Sequence, residues 1–304
     1  MSAEGEQPLV SVVIASVNGL PAITECLEHL MREGAKDDLE VVVVDRCGET
    51  VRSAIRERFD PSAVRLLESP ADTSIPRLRA MGMREARGEM LVILEDHCNV
   101  APGWLAALRR AHEAGYTAIG GAVENGSVDR LTDWAVFFCE YARFMPPLRR
   151  GVVEEITGNN SAYGRALLER LGAAGYDEVW ESFLHARIRE LGEPFYCEPD
   201  MLVYHKKEFG FGYFVSQRYH YSRSFAGMRL AEAPRWKCVA YAAATPLLVP
   251  LIGARIARTV YGKRRGRGRF VLCTPLLFVF LVVWAWGEAI GALAGPGDSL
   301  RKVE

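Results

Sequence analysis

Four apolar residues, Leu91-Val-Ile-Leu94, run directly into Glu95-Asp96-His97. Two carboxylates and an imidazole behind a buried run are costly to place unless they hold a partner. Delivering such groups at the carboxyl end of a strand is how an open α/β sheet builds a polar site beside its core. The bland alternative is an ordinary polar strand end. Two later segments offer matching chemistry: Glu181 precedes a helical stretch bearing Arg187 and Arg189, and His205 follows Met201-Leu-Val-Tyr204. A cation held by carboxylate and imidazole, with a second carboxylate free to take a proton, would serve a metal-assisted group transfer.

The elements that must position these groups follow from hydrophobic patterning. Residues 8 to about 125 alternate strand-like runs (Leu9–Ala15, Leu39–Asp45, Val64–Glu68, Met90–Leu94, Ala118–Val123) with helical stretches (Ala22–Glu33, Thr50–Arg58, Ile75–Ala86, Trp104–Ala114). Strict alternation predicts βαβ units, a mostly parallel sheet flanked by helices, and ligand groups at the strands' carboxyl ends. From about 126 to 225 the pattern is less regular and richer in aromatic and charged residues. This part is expected to complete the site and to carry acceptor specificity.

The chain has 304 residues and a formal charge of −1, which disfavours a nucleic-acid partner. Seven scattered cysteines with no C-x-x-C pair read as reduced thiols rather than a disulfide framework or a zinc knuckle. The first ten residues, MSAEGEQPLV, have no basic segment and no apolar run of signal-peptide length, so nothing predicts export of the N-terminal body.

Beyond residue 235 the composition changes. Trp236–Ala254 is apolar but contains Pro246 and Pro250, and Val271–Ala294 is longer, with Glu288 as its only ionised residue. A bilayer takes roughly 20 apolar residues per helix. The second segment therefore predicts a transmembrane helix, and the first either a partner helix in a hairpin or a re-entrant or interfacial segment. Buried core helices are the remaining reading. Between them, Lys263 to Arg269 concentrates five cations in seven residues, which the positive-inside rule assigns to the cytoplasm.

The first strand leads into a helix through Ser16-Val-Asn18-Gly19, but no strand-to-helix turn carries G-x-G-x-x-G, so a dinucleotide-dependent oxidoreductase is disfavoured. Asp45, closing the second strand, suits a base or ribose and equally a helix cap or turn. The order Val10-Ser-Val-Val-Ile-Ala-Ser-Val-Asn18, Val41–Asp45, Arg79-Ala-Met-Gly82, Ala86-Arg-Gly88, Leu94-Glu-Asp-His97 and Pro102-Gly-Trp104 resembles the nucleotide-binding half of family 2 glycosyltransferases. The resemblance continues through Gly158-Asn-Asn160, Tyr176-Asp-Glu178, Glu181 with Arg187-Ile-Arg189, and Val203-Tyr-His205, covering about residues 8–230.

That resemblance implies a GT-A fold over 8–230, with a nucleotide-sugar half (8–125) and an acceptor half (126–230), followed by a membrane-associated helical region over 235–295. It implies a nucleoside-diphosphate sugar donor, a divalent cation and transfer with inversion. The donor side would involve Ala15, Ser16, Asp45, Arg79, Glu95 and Asp96. Where the family usually has Asp-x-Asp this chain has Glu95-Asp96-His97, resembling an Asp-x-His version. His97 and His205 become the metal ligands, and manganese is favoured over magnesium because magnesium prefers oxygen. Glu95 or Asp96 would hold the ribose or a metal-bound water. For His205 the alternative is a solvent-facing strand end.

Glu181 is expected to be the general base, with a plain helix cap as the alternative. Asn160, Arg218 and Arg223 are candidates for the acceptor or phosphate. The two arginines also suit a basic interfacial helix leading to the membrane. The reading that follows is a membrane-bound glycosyltransferase with a cytoplasmic catalytic domain and a lipid-linked or cell-surface glycan acceptor. A non-catalytic sugar-nucleotide-binding membrane scaffold with a decayed metal motif, and a nucleotidyl- or phosphosugar-transferase, are the alternatives.

Overall fold

A computed structural model describes residues 9–34, 39–178 and 180–303. The strands are β1 (Val10–Ser16), β2 (Leu39–Asp45), β3 (Val64–Glu68), β4 (Met90–Glu95), β5 (Cys98–Val100), β6 (Ala118–Asn125), β7 (Gly151–Val153), β8 (Asn160–Gly164) and β9 (Phe195–His205). The α-helices are α1 (Ala22–Met31), α2 (Glu49–Arg58), α3 (Ile75–Glu85), α4 (Trp104–Glu113), α5 (Leu131–Tyr141), α6 (Arg165–Arg170), α7 (Glu181–Glu190), α8 (Phe211–Arg229), α9 (Arg235–Ala244), α10 (Leu248–Lys263) and α11 (Arg267–Ala294).

The strands form one mixed sheet in the order β3-β2-β1-β4-β8-β6-β9-β5, with β7 beside β9. Its first four strands are parallel, as alternation with helices requires. Beyond β4 the sheet turns antiparallel, at the β4–β8, β6–β8, β5–β9 and β7–β9 pairings. The runs Val41–Val44 and Leu91–Leu94 are fully buried, because helices cover both faces of the parallel half. Helix α3 lies close on that half at Gly82, where a β-carbon would stand 2.4 Å from Val13 Cγ1.

From β1 the chain moves through β2 to β3 on one side, then returns to place β4 on the other. The crevice between the carboxyl ends of β1 and β4 is therefore a topological switch point, where open α/β sheets bind ligands. Register puts Ala15 opposite Glu95 and Ser16 opposite Asp45, so three candidate residues share this edge with the strand end that leads to His97.

The chain divides into two compact units, Met1–Glu124 with Pro146–Lys206, and Asn125–Met145 with Lys207–Glu304. Composition draws a boundary near residue 235, whereas the compact units assign α5 and α8 to the C-terminal helices. The reason is packing within the second unit: α5 meets the first part of α11 through Phe138–Phe270 ring contact, and α8 meets its later part through Phe214–Phe280. Two helical stretches of this unit, Arg235–Lys263 and Arg267–Ala294, are long and apolar enough to cross a membrane.

Candidate metal and catalytic site

The cluster at the switch point is built by three backbone decisions. Strand β4 ends at Glu95. The chain then turns through Asp96 and His97 into β5, whose Cys98 pairs with His205 at the end of β9. The Lys206 amide closes the ladder by donating to the His97 carbonyl at 2.8 Å. Two imidazoles more than 100 residues apart in sequence are thereby fixed side by side, with His97 Nε2 2.9 Å from His205 Nε2. Glu95 Oε2 lies 3.4 Å from His97 Nε2 and 3.8 Å from His205 Nε2.

These three side chains form the one group able to hold a metal ion among the described residues. The circumradius of a triangle with sides 2.9, 3.4 and 3.8 Å is about 2 Å, so one point lies a metal–ligand bond length from all three donor atoms. Two imidazole nitrogens and one carboxylate are a donor set able to hold a divalent cation. His97 is also oriented as a ligand should be. Its Nδ1 lies 3.0 Å from Asp96 Oδ1 and 3.0 Å from the Asn18 side-chain amide; an Nδ1–H donated to that carboxylate leaves Nε2 as a lone-pair donor.

Asp96 itself does not face a ligand. It is 1% exposed. Its Oδ2 accepts the Val17 and Asn18 amides at 2.8 Å each, and its Oδ1 accepts the Asn18 side-chain amide at 2.6 Å. Burial raises the Asp96 carboxyl, but the His97 imidazole and the Asn18 and Val17 amides outweigh burial and lower it overall. Asp96, expected to hold the ribose or a metal-bound water, is placed so that it braces the β1 turn and meets His97.

Arg79 joins the metal cluster to the candidate base. From α3, its Nη2 donates to Glu95 Oε1 at 3.2 Å, and its Nη1 pairs with Glu181 Oε1. Glu181 opens α7, where the helix dipole favours a carboxylate, and its side chain is 11% exposed. Gly158 leaves room for it: a β-carbon there would stand 3.0 Å from Glu181 Oε2. Three carboxylates (Glu95, Asp96, Glu181) against one guanidinium leave the cluster two negative charges from neutrality when its histidines are neutral, a balance that a divalent cation restores.

Behind α7, Tyr163 and His185 form a buried pair, with the phenolic oxygen 2.6 Å from His185 Nε2. Burial, assisted by Arg189, pushes the His185 imidazole down to about 3, so it is neutral in the fold.

Residues 11–172 match the sequence model of Glycosyl transferase family 2, more than half of the chain. The chain belongs to glycosyl transferase family 2. Among curated relatives, murine polypeptide N-acetylgalactosaminyltransferase 12 is 30% identical to this family 2 chain over 138 residues, which cover 43% of the chain and 23% of that relative's length. The match thus spans about a quarter of the relative.

Among solved structures, the mannosyltransferase PcManGT from Pyrobaculum calidifontis, in complex with GDP-Man and Mn2+, superposes with a TM-score of 0.58 at 20% identity, covering 93% of this chain and 87% of that one. GalNAc-T7 with UDP, GalNAc and Mn2+ gives 0.53 at 18% identity, covering 67% and 44%. S. aureus TarS residues 1–349 in complex with UDP-GlcNAc gives 0.51 at 15% identity, covering 92% and 90%. These likenesses show that the family 2 chain has the GT-A fold.

The remaining candidates of this family 2 chain fall into two groups. Ala15 and Ser16 lie at the switch-point edge, and Ser16 Oγ donates to Asp45 Oδ1 at 2.8 Å. Asp45 is fully buried and accepts the Cys47 and Gly48 amides at 3.2 and 3.1 Å. These bonds give Asp45, expected on a base or ribose or as a cap or turn residue, a turn-and-cap position ahead of α2.

Asn160, expected at the acceptor or phosphate, sits in the core. It is fully buried, accepts the Trp104 indole N–H at 3.0 Å and donates to the Ala122 and Met201 carbonyls, so it ties the core together. Its neighbour Asn159 is the one that approaches the cluster, with Nδ2 3.4 Å from Glu95 Oε2. Within the second unit, Arg218, expected either at the acceptor or phosphate or on a basic interfacial helix, is buried against Glu140 Oε1 at 2.7 Å and over the Trp284 ring. Arg223 donates to the Gly295 carbonyl at 3.3 Å.

Asn18 and Asn159 were given no role by pattern alone. Their signal was present in the stretches that resemble the family, but residue type does not say which of two adjacent asparagines faces a site.

Proposed function

We propose that this family 2 chain transfers a sugar, with inversion, from a nucleoside-diphosphate donor to a hydroxyl of a lipid-linked or cell-surface glycan acceptor at a membrane. The observation that carries the reading is the convergence of Glu95, His97 and His205 at the switch point, with Glu181 tied to Glu95 through Arg79. The donor class is suggested by the GDP-Man, UDP and UDP-GlcNAc in the complexes of fold relatives, and manganese by the Mn2+ in two of them.

Glu95, His97 and His205 would hold the divalent cation, which supplies stabilisation of the charge that gathers on a departing diphosphate. The two imidazoles favour manganese over magnesium. Asp96 keeps His97 turned toward that cation. Arg79 adds a fixed positive charge beside it, suited to a phosphate oxygen. Glu181 accepts the proton of the acceptor hydroxyl as its oxygen bonds to the anomeric carbon from the face opposite the leaving group. The bond from that carbon to the diphosphate oxygen breaks, and its electron pair leaves with the nucleoside diphosphate. A cytoplasmic catalytic unit fits a cytoplasmic pool of sugar nucleotide.

The test is nucleoside-diphosphate release from a panel of sugar nucleotides, using membranes that contain the protein, with manganese or with chelator. Release from one donor, dependent on manganese and lost in Glu181→Gln, is expected. Binding of a sugar nucleotide with no turnover from any donor would turn the reading toward a scaffold.

A further inference from the structure

Helix α11, the second arm of the helical hairpin in the second unit, has one face committed to protein along its length, whereas α9 has no buried residue and α10 buries Ile256 and Val260. Helix α10 turns into α11 through Arg264, Arg265 and Gly266, with left-handed backbone at Arg264 and Gly266. The tip is clamped: Lys263 Nζ donates to the Arg143 carbonyl at 2.9 Å and also to that of Met145, and Gly266 lies against the Phe138 ring. From there α11 runs beside α5, with Cys273 Sγ donating to the Leu131 carbonyl at 3.3 Å. Its later half runs beside α8: Phe280 against Phe214, Trp284 under the Arg218 guanidinium, Gly287 against Ser222 and Gly291 against Arg223.

The helices that cover α11 carry several charges. Helix α8 has Arg218, His220, Arg223 and Arg229, and α5 has Asp133 and Glu140, with Arg218 paired to Glu140 and Arg229 to Glu288. Were α11 to cross a bilayer, this polar layer would be carried toward hydrocarbon depth with it, at a cost that pairing lessens and does not remove. The uninterrupted uncharged runs sit at the lower limit for a span. Residues 238–254, between Lys237 and Arg255, number 17, and residues 270–287, between Arg269 and Glu288, number 18. At 1.5 Å per residue each is about 26 Å, against a hydrocarbon core of about 30 Å.

What remains bare is the opposite face. Leu247 and Leu251 of the α9–α10 stretch, and Leu272, Phe278, Val282 and Trp286 of α11, are each 43–64% exposed. Around the tip, Arg255, Arg258, Arg264, Arg265 and Arg267 are exposed. An apolar face bordered by cations is complementary to one leaflet carrying anionic headgroups.

We infer that the α9–α11 hairpin lies in the plane of the membrane, sunk into one leaflet rich in acidic phospholipid, and does not span it. The inference rests on the membrane-association part of the function proposed above and is independent of the transfer chemistry.

The test uses the full chain in sealed membranes from expressing cells, with Arg265→Cys at the tip and Lys302→Cys beyond the far end of α11, each compared with the parent protein for added labelling by a membrane-impermeant maleimide. An in-plane hairpin makes the two positions behave alike, both labelled before permeabilisation or both only after it. Opposite behaviour would show that α11 spans, and would overturn the inference while leaving membrane association intact.

Co-sedimentation of the parent with vesicles completes the test. Binding to phosphatidylcholine vesicles is expected to be weak, to rise strongly with added phosphatidylglycerol and to fall with salt. Equal binding to both vesicle types would remove the anionic-leaflet part of the inference. No binding to either would overturn membrane association itself, whatever the transferase assay shows.

Discussion

His97 Nε2 and His205 Nε2 stand 2.9 Å apart because His205 pairs with Cys98 in the β5–β9 ladder and His97, in the turn just before β5, accepts the Lys206 amide at its carbonyl. Backbone hydrogen bonds at both residues are what a preorganised ligand pair needs. The third donor, Glu95, closes β4 two residues before His97. The site is therefore an extension of the sheet, and predictions about it separate ligands from the residues that hold them.

Asp96→Asn keeps the shape of the brace but removes the charge that fixes the His97 tautomer. It is expected to lower divalent-cation affinity by about 10–100-fold, the usual effect of losing the partner that orients a ligand. Calorimetric titration of manganese measures it, and unchanged affinity would show that His97 needs no such orientation.

Glu181→Gln preserves size and a hydrogen-bonding carbonyl while removing the proton acceptor. Turnover is expected to fall by about 10²–10⁴-fold, with sugar-nucleotide binding retained. Steady-state kinetics and direct donor binding read the two quantities separately. A matching loss of binding would make Glu181 a structural partner of Arg79.

Arg79→Met leaves Glu95 and Glu181 facing each other without their shared cation. Since the three side chains are between 7% and 25% exposed, a loss of about 3–5 kcal/mol of stability is expected, as for other broken buried pairs. Denaturant unfolding of the detergent-solubilised protein checks it. Arg79→Lys should recover part of the loss by restoring charge without the two-armed geometry.

The buried His185 gives the fold an acid sensitivity of definite sign. Its native pKa is depressed to about 3 from an ordinary 6.5, so below pH 6.5 the unfolded chain binds a proton that the native chain refuses. Stability from this residue is complete above pH 6.5 and declines as pH falls toward 3, with a slope approaching about 1.4 kcal/mol per pH unit. Unfolding free energies measured between pH 7 and pH 4 should flatten by that amount in His185→Gln, which keeps a polar group beside Tyr163 without the titration.

Much of the fold was legible from periodicity, and the reason is physical. Strands β2 and β3 keep their expected bounds, and β1, β4 and the helices of the parallel half differ by one or two residues at their ends, because buried apolar runs admit few alternative registers. The site was legible in His97 and His205 as expected metal ligands, since charged groups behind an apolar strand need a partner; Glu95, expected on the ribose or a metal-bound water, lies with them in the structure. The site was illegible in its supports. Asp45 and Asp96 turn inward because the backbone amides of the adjoining turns need acceptors, a demand set by turn geometry rather than residue type. Asn159, to which the pattern gives no role, approaches Glu95 while Asn160 faces the core, because successive residues entering β8 face opposite ways and only the register with β4 decides which one meets Glu95. The assignment of α5 and α8 to the C-terminal helices depends on long-range packing against α11, which no local pattern reports.

The central claim is that Glu95, His97 and His205 bind one divalent cation. Manganese titration followed by electron paramagnetic resonance, on the parent protein and on His97→Ala and His205→Ala, tests it most directly. One bound manganese per chain in the parent, with binding weakened by at least about 10-fold in each variant, is the predicted result. Manganese bound equally well by all three proteins would place the ion elsewhere and contradict the account.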